Sequence, residues 1–168
     1  MAGLEREDRN VCLSGPAGSG KTTAARQLAT ALGVSFHFNG AIDTEYKLSG
    51  FVDAQGRVVS TAFREAWTGG GVYLFDECDA SMPSALLAFN AALANGHAAF
   101  PDGAVGRHQD CYVLAAANTW GFGGDANYVG RAKLDAAFLD PFVTLSWEYD
   151  EGLERTLARN DSWVNVVQ

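Results

Sequence analysis

The chain has 168 residues, is 48% hydrophobic and carries a formal net charge of −8, which suits one globular domain with a substantial core. No stretch is long and apolar enough to span a bilayer and Met1–Arg9 is charged rather than signal-like, so a cytoplasmic protein with no membrane role is expected. The acidic balance argues against tight non-specific nucleic-acid binding by this chain alone, though not against a locally basic surface.

The first predicted element is a short apolar strand, Asn10–Leu13. It runs into Gly15-Pro16-Ala17-Gly18-Ser19-Gly20-Lys21-Thr22-Thr23, which fits G-x-x-x-x-G-K-[ST], the loop that grips nucleotide phosphates. Glycines let the backbone N–H groups of such a loop converge on phosphate oxygens. The helix predicted over Thr22–Leu32, stopped by Gly33, points its positive N-terminal end at the same anion. In this reading Lys21 reaches the β- and γ-phosphates, and the Thr22 hydroxyl completes the shell of a Mg²⁺ ion.

A second strand is predicted at Val34–Phe38, and a helix at Ala62–Trp67 closed by Gly69-Gly70-Gly71. The third strand, Val72–Phe75, ends in Asp76-Glu77. At the C-terminal edge of a parallel sheet this pair faces the phosphate loop, Asp76 supporting Mg²⁺ and Glu77 polarising an attacking water. A helix is predicted over Pro83–Leu93, with Ser81 as N-cap, Asn95-Gly96 as stop and Leu86, Phe89 and Leu93 as core. His97–Phe100 and the Pro101-Asp102-Gly103 turn suggest a small hairpin. The fourth strand, Tyr112–Ala117, ends in Asn118, whose amide suits the attacking water or the γ-phosphate. Phe142–Trp147 is the fifth strand. Apolar strands alternating with helices predict an α/β domain around a five-stranded, mostly parallel sheet, a three-layer arrangement of the phosphate-loop NTPase kind.

Cys12, Cys78 and Cys111 lack metal-ligand spacing and are expected as buried reduced thiols, although Cys78 lies close enough to the proposed site to be an oxidisable candidate. Lys47 and Arg107 are expected to be solvated.

From Asn10 to about Asp150 the chain resembles the AAA+ ATPases, in particular the MoxR-type, dynein-related and cobaltochelatase-small-subunit branch and its bacteriophage-encoded relatives. The residues that carry the likeness are Gly15–Thr23, Leu48-Ser49-Gly50-Phe51-Val52-Asp53, Leu74–Ala80, Leu87–Leu93, Phe100–Gly103, Ala115–Gly121 and Arg131–Asp140. The resemblance implies binding and hydrolysis of ATP to ADP, Mg²⁺, a usually hexameric homo-oligomeric ring, and remodelling of a protein or nucleic-acid client. For that client Tyr46, Phe51 and the hairpin near Phe100 are candidate pore-lining residues, with packing the commoner role of such aromatics. Carried over by position, Lys21 and Thr22 bind nucleotide and metal, Asp76 supports the metal, Glu77 is the catalytic base and Asn118 is the sensor-1 residue.

Two departures bear on activity. The family usually reads Leu-Asp-Arg-Phe where this chain has Leu139-Asp140-Pro141-Phe142, so the arginine finger is missing there. Arg131 is the substitute donor, with a solvated helix-start arginine as the alternative. The organisation expected is a nucleotide-binding core over residues 1–150, with 151–168 beginning a helical lid that the sequence does not continue. The alternatives to an active ATPase are a nucleotide-binding ring partner with little hydrolysis of its own and, on the loop alone, a small-molecule kinase.

Overall fold

A computed structural model describes residues 9–119, 136–150, 152 and 156. Strand β1 (Asn10–Ser14) runs into the glycine-rich loop and then helix α1 (Lys21–Leu32). Gly33 ends α1 at φ 67. Its N–H and that of Val34 turn back onto the carbonyls of Thr30 and Ala29, a left-handed cap that satisfies the last carbonyls of the helix. Val34 is spent on that cap, so β2 starts later than predicted, at Phe36–Asn39.

The chain then makes α2 (Tyr46–Ser49) and an antiparallel hairpin of β3 (Phe51–Val52) and β4 (Val58–Val59). The hairpin turn is held by Asp53, whose carboxylate accepts from the backbone of Gln55 and Arg57. Helix α3 (Ala62–Gly69) follows, N-capped by the Thr61 hydroxyl, which accepts from the Arg64 N–H. Strand β5 (Gly71–Phe75) is fully buried. A 3-10 turn at Cys78–Ala80 leads to α4 (Pro83–Asn95), then the hairpin of β6 (His97–Phe100) and β7 (Gly103–Gly106). Strand β8 (Cys111–Ala117), helix α5 (Ala136–Leu139) and β9 (Val143–Ser146) complete the described elements.

Five strands form one sheet in the order β2-β5-β8-β1-β9, every neighbouring pair parallel. The pleat sends alternate side chains to opposite faces. Leu13, Val72, Leu74, Leu114 and Ala116 pack with Ala25 and Ala29 of α1 on one face. Cys12, Tyr73, Phe75, Val113 and Ala115 meet α3 and α4 on the other, around Phe63, Trp67 and Phe89. This is a three-layer α/β core, with Leu86, Phe89 and Leu93 in it as expected. Among the described residues no helix is long and apolar enough to cross a membrane.

Two local expectations are corrected, and one is met. The N-cap of α4 is Met82, not Ser81. The Ser81 hydroxyl instead accepts from the Ile42 N–H and donates to the Glu77 carbonyl, because the 3-10 turn carries it away from the helix end. Arg107 is not solvated: its guanidinium donates to the Cys111 and Arg9 carbonyls and lies over the Trp67 ring. Cys12, Cys78 and Cys111 are free and buried, and burial pushes the Cys12 thiol up to about 12 and the Cys78 thiol well above its ordinary value. The buried, reduced thiols are as expected, and for Cys78 the inert apolar reading holds over the oxidisable one.

Candidate active site

In an open parallel sheet the ligand crevice lies beyond the carboxyl ends of the strands. Here β1, β5 and β8 are adjacent, with Ser14 level with Ala117 and Phe75 level with Ala115. Whatever follows each strand is therefore delivered to one edge. The loop Gly15–Gly20 follows β1, Asp76 and Glu77 follow β5, and Asn118 follows β8. Gly18, Gly20, Lys21, Thr22, Thr23, Asp76, Glu77 and Asn118 all line one cavity of about 340 Å³.

Lys21 is the first residue of α1 and is almost fully buried, at 6% exposed. A buried ammonium needs several acceptors. Its Nζ donates to the carbonyls of Gly15 at 2.7 Å and Pro16 at 2.8 Å and to Asn118 Oδ1 at 3.1 Å. The loop is thus wrapped around its own lysine, with the predicted amide from β8 in direct contact. Gly18 and Gly20 take φ values of 80 and 87, a left-handed conformation that glycine adopts without a steric penalty. Ser19 braces the turn by donating to the Pro16 carbonyl.

The next residue, Thr22, donates its hydroxyl to Asp76 Oδ2 at 2.9 Å. The other oxygen of Asp76 accepts from the Glu77 N–H, and the Asp76 N–H donates to the Asn39 carbonyl at the end of β2. Glu77 is exposed. Its backbone sits at φ 50 and ψ 40, the one non-glycine residue at positive φ among those described. This conformation turns the chain sharply out of β5, and Glu77 lines the cavity. Residues held in such sparsely populated regions concentrate at functional sites.

All the predicted loop residues, Gly15 through Thr23, therefore sit at this edge with Asp76, Glu77 and Asn118. Arg131 lies outside the described residues. Pro141 is far from the cavity's chemistry, its carbonyl accepting from the Asn10 side chain at the opposite end of β1.

One residue of the site was not foreseen. Asp79 in the 3-10 turn is fully buried. Its Oδ2 accepts from the Asn118 N–H at 3.2 Å, the Thr119 N–H at 3.2 Å and the Thr119 hydroxyl at 3.1 Å. The Thr119 carbonyl in turn accepts from the Ser14 hydroxyl. A hydrogen-bonded belt thus ties the ends of β5, β8 and β1 together just behind Asn118.

A larger hollow of about 690 Å³ lies between the β3–β4 and β6–β7 hairpins, against Tyr46, Phe51, Phe100 and Pro101. Its lining includes no carboxylate, lysine or histidine, so the phosphate-loop edge is where chemistry is concentrated. Tyr46 and Phe51 are exposed there, while Phe100 is buried in the core.

The sequence matches the family model described as "ATPase family associated with various cellular activities (AAA)" over residues 11–129. The chain belongs to the AAA family of ATPases. Two solved structures bear out the AAA fold. One is a candidate ATPase from Cytophaga hutchinsonii ATCC 33406, 20% identical with a TM-score of 0.70, covering 94% of this chain and 47% of its own. The other is NtrX from Brucella abortus, 18% identical with a TM-score of 0.63, covering 83% of this chain and 32% of its own. This AAA domain accordingly spans about half of the first protein and a third of the second. No curated protein matches the sequence at a significant level.

Proposed function

We propose that this chain binds ATP with Mg²⁺ and hydrolyses it to ADP and phosphate, working in a homo-oligomeric ring that remodels a macromolecular client. The observation that carries the reading is the meeting, at one sheet edge, of a lysine-centred phosphate loop, a hydroxyl–carboxylate pair and an exposed carboxylate. Lys21 exchanges loop carbonyls for β- and γ-phosphate oxygens, and the N–H groups at the start of α1 add the helix's positive end.

The Thr22 hydroxyl and Asp76 carboxylate are 2.9 Å apart and both hard oxygen donors, the kind Mg²⁺ takes alongside phosphates and water. Bound there, Mg²⁺ neutralises charge on the phosphates. Glu77 accepts the proton of a water aligned for in-line attack on the γ-phosphorus, and the leaving ADP takes the electron pair of the broken P–O bond. Asn118 reports the γ-phosphate. In the same reading residues 1–150 are the core, 151–168 begin the helical segment after it, and Arg131 supplies the finger that Pro141 does not. The motifs at Leu48–Asp53 and Arg131–Asp140 support a place near the MoxR-type, dynein-related and cobaltochelatase branch.

Steady-state phosphate release with a filter-binding assay for ATP tests the assignment. Lys21→Ala is expected to abolish binding, while Glu77→Gln keeps bound ATP and lowers turnover by about 10²–10⁴-fold. Parental turnover in Glu77→Gln would sink the assigned base. The second reading, a nucleotide-binding ring partner with little hydrolysis, is favoured by Pro141 at the usual finger position. It predicts binding with no turnover at any protein concentration.

A further inference from the structure

We propose that Trp147 and Tyr149, on the segment leaving β9, are positioning residues that aim the phosphate loop's backbone N–H groups at the anion. This rests on the reading of the loop as a nucleotide-phosphate site, and goes on to say what shapes it.

The chain leaves β9 still parallel to β1, with the Trp147 N–H donating to the Ser14 carbonyl at 2.7 Å. The approach is close: a Cβ built on Gly15 would lie 1.8 Å from the Trp147 carbonyl oxygen. From that position two aromatic side chains reach across the loop. Trp147 Nε1 donates to the Ser19 carbonyl at 2.9 Å, and the Tyr149 hydroxyl donates to the Ala17 carbonyl at 2.6 Å.

Each carbonyl shares a peptide plane with the next residue's N–H, and in a trans peptide the two point in opposite directions. The described chain contains no cis peptide. Holding the Ala17 and Ser19 carbonyls against the β9 side therefore sends the Gly18 and Gly20 N–H groups the other way, into the cavity that Lys21, Thr22 and Asp76 line. Those N–H groups belong to glycines in open space, with nothing within 4 Å of an added Cβ. Glycine peptide planes rotate readily, and nothing steric fixes these two.

Before the anion arrives, the Gly15 and Pro16 carbonyls are held by Lys21 Nζ. The aromatic donors complete the set without adding a second fixed charge, leaving a concave run of N–H groups oriented before the anion arrives. Such pre-orientation raises affinity by removing the ordering that binding would otherwise require.

The test is isothermal titration of the parent chain, Trp147→Phe, Tyr149→Phe and the double variant with ADP and, separately, with inorganic pyrophosphate, each with Mg²⁺. Each single variant keeps an aromatic ring and loses one donor, and Tyr149→Phe changes nothing else. A single variant is expected to bind both ligands about 3–10-fold more weakly, the size of one lost hydrogen bond, and the double variant more weakly still. The melting temperature of Tyr149→Phe should hold at the parental value, because that ring is 40% exposed. Among variants that turn over ATP, KM should rise while kcat stays near parental.

Equal affinities across the parent and all variants would overturn the proposal. So would a loss seen with ADP but not with pyrophosphate, which would place the rings on the nucleoside. If Trp147→Phe melts early, Tyr149→Phe alone decides. Failure of the parent chain to bind either ligand would instead sink the underlying reading of the loop.

Discussion

Glu77 sits in a backbone conformation that costs an ordinary side chain on the order of 1 kcal/mol, because its Cβ crowds the following carbonyl. Asn tolerates this region better than Glu. Glu77→Asn is therefore expected to raise the unfolding midpoint by about 1–3 °C while suppressing phosphate release, a trade seen by pairing calorimetry with the turnover assay. Asp79 presents the opposite case. Removing its carboxylate leaves the Asn118 N–H and both Thr119 donors without their buried acceptor. Asp79→Ala should lower stability by on the order of 3 kcal/mol in denaturant titration and weaken turnover through the displaced Asn118. The meeting of Lys21, Thr22, Asp76 and Glu77 was legible in the sequence because each belongs to a local motif at the end of an apolar strand, and parallel strands deliver those ends to one edge. Asp79 was not, since its partners lie 39 and 40 residues away and only the adjacency of β5 and β8 brings them within reach.

At the scale of elements, α4 docks through Phe89, whose ring meets those of Phe63, Tyr73, Phe75, Phe138 and Phe142 at centroid distances from 5.1 to 6.4 Å. Phe89→Ala should cost about 3–5 kcal/mol by emptying the centre of that cluster, read as a shifted midpoint in urea. The hydrophobic runs announced all five sheet strands, most plainly the central β1, β5 and β8. Those three are covered on both faces and so nearly continuously apolar, while the edge strands β2 and β9 are more exposed. The details that escaped were set by the ends of elements. The cap that consumes Val34 is a backbone event, and β3 and β4, at two residues each, are too short to display alternation. The Asp53 turn between them was their one local signal.

For the molecule as a whole, the two faces of the sheet differ in kind. Alanines and aliphatic residues seat α1 on one side, and aromatic rings fill the other. The ring reading is checked by the mass in solution with and without ATP and Mg²⁺. Assembly on nucleotide, together with turnover that rises steeply with protein concentration, is expected, and Pro141→Arg should raise the rate further where the missing finger limits it. A monomer at every concentration with flat specific activity would count against the ring.

The glycines of the phosphate loop divide along similar lines. Gly15 is demanded by the sheet, since any side chain there would drive β9 from β1, whereas Gly18 and Gly20 have room on every side and are demanded only by the loop's shape. In a descendant of this scaffold that had abandoned its ligand, Gly15 would persist as a fossil of the architecture while Gly18 and Gly20 drifted. Position 15 thus testifies to the fold, and positions 18 and 20 to whether the loop is still in use.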